Sequence, residues 1–93
     1  MDQHMDLEKK ISEEATYIDS HYQFSFQEGR DSLERSVKYF MDSGSLPEQA
    51  WEQASELVAM ALESAARCEF DLLGTVEHML FARHHRVPSG YGF

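Results

Sequence analysis

The sequence predicts an all-α protein, a short bundle of three or four helices around a long central helix at about residues 46–67. Apolar residues recur at intervals of three and four along most of the chain, which is the period of one face of an α-helix. Residues typical of helix ends separate these segments. The 93 residues are expected to form one domain spanning 1–93, with flexible ends at 1–5 and 87–93.

The predicted central helix carries the widest apolar stripe. Ser45 and Glu48 have the spacing of a capping box, in which each side chain accepts a hydrogen bond from the other residue's backbone N–H. Pro47 suits the first helical turn, where its missing N–H costs nothing. The residues of the stripe are Ala50, Trp51, Ala54, Leu57, Val58, Ala61, Leu62 and Ala65.

Two further amphipathic segments precede this helix. The first begins at Asp6, and the second begins with another capping-box pair, Ser25 and Glu28, and is expected to end at Gly44 in the left-handed conformation. Residues 20–25 are interpreted as a linker anchored by aromatic side chains. The two stripes are Leu7, Ile11, Ala15, Ile18 and Tyr22, then Phe26, Leu33, Val37, Phe40 and Met41.

The segment after Arg67 permits two interpretations. Asp71 could cap a fourth helix over 72–85, or the central helix could continue through this region. A single helix over 46–85 would be about 60 Å long at a rise of about 1.5 Å per residue, which exceeds a compact domain of this size. A break near 68–71 is therefore favoured, and Cys68 beside it is expected to be a small buried side chain.

The charge balance is acidic, with 17 Asp and Glu against 8 Lys and Arg and a net charge of −9. Such a charge repels nucleic acid and anionic membranes, so we expect neither as a direct partner. It suits solubility or a basic protein partner. A chain this short buries a small core, so a second subunit is the expected source of extra stability and we predict a homodimer.

The composition also favours a cytoplasmic protein. One cysteine excludes an intrachain disulfide, and the polar N-terminus lacks the pattern of a signal peptide. The sequence contains no apolar run approaching the roughly 20 residues of a membrane span.

Catalytic and metal-binding patterns are weak. His78, His84 and His85 lack the i, i+4 spacing of a helical zinc motif, and Cys68 is a lone thiol. A basic helix end, where cations face the negative end of the helix dipole, explains the histidines equally well. We therefore expect no enzyme, no metal and no cofactor.

The candidate partner-binding residues are exposed apolar side chains and their charged neighbours. Met60 falls on the polar face of the central helix among Glu56, Glu63 and Arg67, as an adaptable contact would. The alternative is that another helix covers Met60. The aromatic residues Tyr91 and Phe93 in the glycine-containing tail complete the predicted set.

In size, charge and its capped alanine-rich helix S-L-P-E-Q-A-W-E-Q-A-S-E-L-V-A-M-A-L, the chain resembles the small all-helical antiactivators that bacteria use against quorum-sensing transcription factors, of the QslA type. The resemblance implies a dimer that binds the ligand-binding domain of a transcription factor and blocks its dimerisation or DNA binding. Two alternatives remain open. One is a small acidic secretion chaperone or partner subunit, and the other is a phage-type acidic inhibitor that mimics DNA.

Overall fold

The computed structural model describes residues 6–68 and 70–84, which form four helices. They are α1 (Leu7–His21), α2 (Phe26–Asp42), α3 (Pro47–Cys68) and α4 (Leu72–His84), and no strand occurs in this part of the chain. The all-α prediction is confirmed, with α3 the longest helix at 22 residues. The ends at 1–5 and 87–93 lie outside the described residues.

Helix α2 lies at the centre of the packing. It contacts α1, α3 and α4, whereas α3 packs on α2 and α4. The long helix at 46–67 is thus where the sequence predicts it, but the other helices are arranged around α2. The Cα trace measures 47 × 37 × 13 Å, so the molecule is flat and has two broad faces. Within residues 6–68 and 70–84, none of the helices combines the length and apolarity of a membrane span.

Helix α1 follows its predicted stripe. Ile11, Ala15 and Ile18 are buried, and Asp6 caps the helix by accepting a hydrogen bond from the Lys9 N–H at 3.2 Å. The aromatic anchors of the following linker are also confirmed, because Tyr22 and Phe24 are half-buried against the core. The hydrophobic stripe of α1 is therefore buried where α1 packs on α2.

The buried face of α2 differs from the predicted stripe. Phe26 and Met41 are exposed, while the small residues Gly29, Ser32 and Ser36 are buried. Small residues let neighbouring helices approach closely, and a Cβ added at Gly29 would lie 3.3 Å from the Ile18 Cδ1 atom. The buried face of α2 therefore combines small residues, which allow this close approach, with the larger apolar side chains of Leu33, Val37 and Phe40.

The start of α3 uses different residues from the predicted capping box. The Ser45 N–H donates to the Phe40 carbonyl at 3.0 Å, and the Ser45 hydroxyl donates to Gln53 Oε1 at 2.8 Å. Gln49 replaces Glu48, because its Oε1 accepts from the Leu46 N–H at 3.2 Å. Leu46 thereby occupies the cap position and Pro47 the first helical position. Gly44 has a φ of 111°, as the predicted left-handed helix end requires.

The predicted break between α3 and α4 is confirmed. Asp71 caps α4, since its Oδ2 accepts from the Gly74 N–H at 2.8 Å. A second cap comes from α2, where Glu28 Oε2 accepts from the Leu72 N–H at 2.6 Å. Glu28 therefore joins two helices instead of closing a capping box with Ser25, although the Ser25 hydroxyl does accept from the Glu28 N–H. The prediction that Cys68 is buried is wrong, because the helix end leaves it exposed.

Replacing Ser32 with alanine is expected to raise the free energy of unfolding by about 1–2 kcal/mol. The buried Ser32 hydroxyl has no hydrogen-bond partner among the described residues, so its removal relieves a desolvation cost. Ser36→Ala is the matched control: the buried Ser36 hydroxyl donates to the Ser32 carbonyl at 2.9 Å, so its loss and the gain in helix propensity roughly cancel. Urea unfolding measures the free energy of unfolding of both variants. A lower value for Ser32→Ala than for the wild type would contradict the absence of a hydrogen bond at the Ser32 hydroxyl.

Candidate functional site

The predicted residues of α3 form one continuous exposed surface. Met60 is 54% exposed, so the structure decides against the alternative that another helix covers it. Met60 lies on the exposed side of α3, among Glu56, Glu63 and Arg67. We call this surface the α3 outer face, and it consists of Glu56, Ala59, Met60, Glu63, Ala66 and Arg67, all exposed. Tyr91 and Phe93 lie outside the described residues.

The charged side chains of the α3 outer face remain available to a partner. In the rest of the described chain, Arg30 pairs with Glu8 and joins α2 to α1, and Arg35 pairs with Glu77 and joins α2 to α4. Two further ion pairs lie within α2, Arg30 with Glu34 and Lys38 with Asp42. Within residues 6–68 and 70–84, no ion pair uses a side chain of α3. An external group can therefore pair with Glu56, Glu63 or Arg67 without first breaking a salt bridge to another residue of 6–68 or 70–84.

A second exposed site lies at Phe70, in the connection between α3 and α4. Its N–H donates to the Ala65 carbonyl at 3.0 Å, a bond that spans five residues and closes the end of α3 as in a Schellman motif. The next residues are held by the caps on α4, from Asp71 and Glu28. The backbone N–H of Phe70 is thus hydrogen-bonded and the start of α4 after it is capped, while the residue is 61% exposed.

Two grooves border Phe70. The first, of about 540 Å³, lies between the α1–α2 linker and α3, and the second, of about 420 Å³, lies between α3 and α4. We call Phe70 and these two grooves the Phe70 corner. Beside Phe70, the first groove is lined by His21, Tyr22, Gln23, Phe24, Ala65 and Ala66, and the second by Ser64, Asp71, Gly74, Thr75, His78 and Met79.

The sequence interpretation missed the Phe70 corner. Phe70 is not among the residues that the sequence predicts for partner binding, and the apolar stripe of α4 is carried by the buried residues Leu72, Val76 and Leu80. One signal was present: Phe70 directly precedes Asp71, a predicted helix cap, and a residue before a cap lies outside the helical stripe. That position places Phe70 in the connection between two helices. Its apolar ring is therefore not part of the buried stripe of either helix.

In the part of the chain that the structure describes, no three His, Cys, Asp or Glu side chains are grouped to hold a metal ion. Cys68 is a free exposed thiol. His85 lies outside the described residues. No family model, curated protein sequence or solved structure matches the chain.

Substitutions at two adjacent residues of α3 are expected to change the free energy of unfolding by very different amounts. Ala61→Leu should lower the free energy of unfolding by about 1–3 kcal/mol, because Ala61 is fully buried and a larger side chain overpacks its site. Met60→Ala should change it by less than about 0.5 kcal/mol, as at other exposed sites. Denaturant midpoints of dilute protein, which report the unfolding of the single chain, test both values. A loss above about 2 kcal/mol for Met60→Ala would place Met60 in the core.

Proposed function

We propose that this chain is a non-enzymatic protein-binding regulator: an antiactivator that binds a transcription factor and blocks its dimerisation or DNA binding. The observation that carries the protein-binding part is the Phe70 corner, where an exposed aromatic residue lies between two grooves and its backbone N–H is hydrogen-bonded to the end of α3. The choice of a transcription factor as partner rests on the resemblance to the QslA-type antiactivators. The proposed place of action is the cytoplasm.

An exposed aromatic side chain on a hydrogen-bonded stretch of backbone suits an interface anchor. Binding energy is concentrated in a few residues that insert into the partner, and ordering a mobile segment subtracts from that energy. The hydrogen bonds at the end of α3 and the start of α4 already order the backbone at Phe70. A partner that covers Phe70 therefore gains the burial of an aromatic ring with a small entropic cost.

The grooves beside Phe70 supply the surface around that anchor. The half-buried aromatic rings of Tyr22 and Phe24 border one groove, and the half-buried Met79 borders the other. Apolar side chains of a partner can enter on both sides of Phe70, which excludes water from the central contact. The net charge of −9 favours a partner surface that is basic, because complementary charge accelerates encounter.

Capture from a lysate of the native host tests the proposal. The immobilised wild-type chain, Phe70→Asp and Leu46→Asp are compared, since Leu46 is 66% exposed and lies at the other end of α3. We expect a transcription factor to be retained by the wild type and by Leu46→Asp and lost by Phe70→Asp. Capture of an export substrate instead favours the secretion chaperone, and capture of a DNA-binding enzyme competed by DNA favours the DNA mimic. A captured set that Phe70→Asp leaves unchanged contradicts the use of the Phe70 corner.

A further inference from the structure

We infer that the α3 outer face binds a second copy of this chain, with the two α3 helices packed antiparallel about a two-fold axis. The inference concerns a different surface from the Phe70 corner and does not rest on the proposed transcription-factor partner. Three observations support it: the spacing of opposite charges on this face, the absence of internal ion pairs on α3 within the described residues, and an exposed methionine between those charges.

The spacing of opposite charges makes the face self-complementary. Glu56 and Arg67 are eleven residues apart, which is about three helical turns and about 16 Å along the axis, so both lie on one line of the helix. A two-fold contact brings each residue of one copy against a different residue of the other copy. With the axis midway between these two residues, Glu56 of each copy meets Arg67 of the other. The contact therefore contains two equivalent ion pairs.

Met60 occupies the centre of this arrangement. It lies about 2 Å along the helix from the midpoint between Glu56 and Arg67, so the two copies of Met60 meet beside the two-fold axis. Met60 is 54% exposed in the single chain, and a methionine adapts its shape to such a contact. The exposed small residues Ala59 and Ala66 leave room at the flank for a second helix.

Glu63 makes the arrangement distinguishable from other contacts of the same helix. It lies the same distance from the midpoint as Met60 but on the opposite side of the face, so the two copies of Glu63 approach each other. Like charges at short range repel, and this repulsion opposes association. Neutralising Glu63 should therefore strengthen the contact, whereas altering Glu56 or Arg67 should weaken it.

Sedimentation equilibrium of the full chain tests the inference. The wild type is expected to form a species of twice 10.8 kDa at micromolar concentration. Glu56→Arg and Arg67→Glu should each raise the dimer dissociation constant by about tenfold or more, since each removes two ion pairs and creates two repulsions. The double variant Glu56→Arg/Arg67→Glu exchanges the charges and should return the dissociation constant to within about threefold of the wild type. Glu63→Gln should lower the dimer dissociation constant below that of the wild type.

Circular dichroism confirms that each variant folds, which is expected because all three side chains are exposed. A wild-type chain that sediments as one 10.8 kDa species at micromolar concentration overturns the inference. A dimer that none of the variants affects places the second copy on another surface and overturns it as well. A double variant as weak as the two single variants excludes the antiparallel pairing of Glu56 with Arg67. Each of these results is independent of what the Phe70 corner captures.

Discussion

Replacing Leu33 with alanine is expected to lower the free energy of unfolding by about 2–5 kcal/mol. Leu33 is 0% exposed and lies on α2, the helix that contacts the other three. Truncation removes buried apolar surface and leaves a cavity that the neighbouring helices cannot fill without moving. Small domains have total stabilities of about 5–15 kcal/mol, so the loss is a large share. Urea unfolding should show a lower midpoint with an unchanged slope.

Leu46→Ala is the matched control for this prediction. It makes the same substitution at a side chain that is 66% exposed, and alanine and leucine are equally poor at a helix cap. We expect a change below about 0.5 kcal/mol. Equal losses at Leu33 and Leu46, or a loss below about 1 kcal/mol at Leu33, would contradict the central position of α2.

The second large effect is expected in partner binding. Phe70→Ala should weaken the complex with the captured transcription factor by about 2 kcal/mol or more, a factor of about 30. The loss arises because the partner no longer buries the exposed aromatic ring of Phe70. Isothermal titration calorimetry measures the affinity, with Leu46→Ala as the control. Equal affinities for the wild type and Phe70→Ala would show that the anchor lies elsewhere.

The first and third helices could be predicted because their apolar residues alone form a helical stripe. The buried residues of α1 and α3 are those at which the spacing of three and four placed them. Helix ends were also predictable where one residue determines the conformation. Gly44 supplies the positive φ at the end of α2, and Asp71 caps α4 through its own side chain.

The central role of α2 was not predictable from hydrophobicity. Its buried face includes Gly29, Ser32 and Ser36, which contribute little to an apolar stripe. They are buried because other helices pack on α2, as Ile18 of α1 does at Gly29, and that packing is a property of the tertiary structure. The cap that Glu28 places on α4 has the same origin, since it joins residues 44 positions apart in the sequence.

Of the two candidate surfaces, the α3 outer face could be predicted from the sequence and the Phe70 corner could not. The α3 outer face was predicted from the helical spacing of Met60, Glu56, Glu63 and Arg67, because one helix determines which side chains share a face. The Phe70 corner depends on how the linker after α1 and the start of α4 pack beside the end of α3. No local spacing encodes that arrangement.

The central proposal is tested most directly by the DNA binding of the captured transcription factor as this chain is added. An electrophoretic mobility assay on the factor's own operator DNA reports the fraction of DNA bound. We expect the wild-type chain to abolish the shifted band near its affinity for the factor, and Phe70→Ala to need at least about 30-fold more protein. An unchanged shifted band at saturating wild-type chain, with the protein complex demonstrably formed, would contradict the proposed antiactivator.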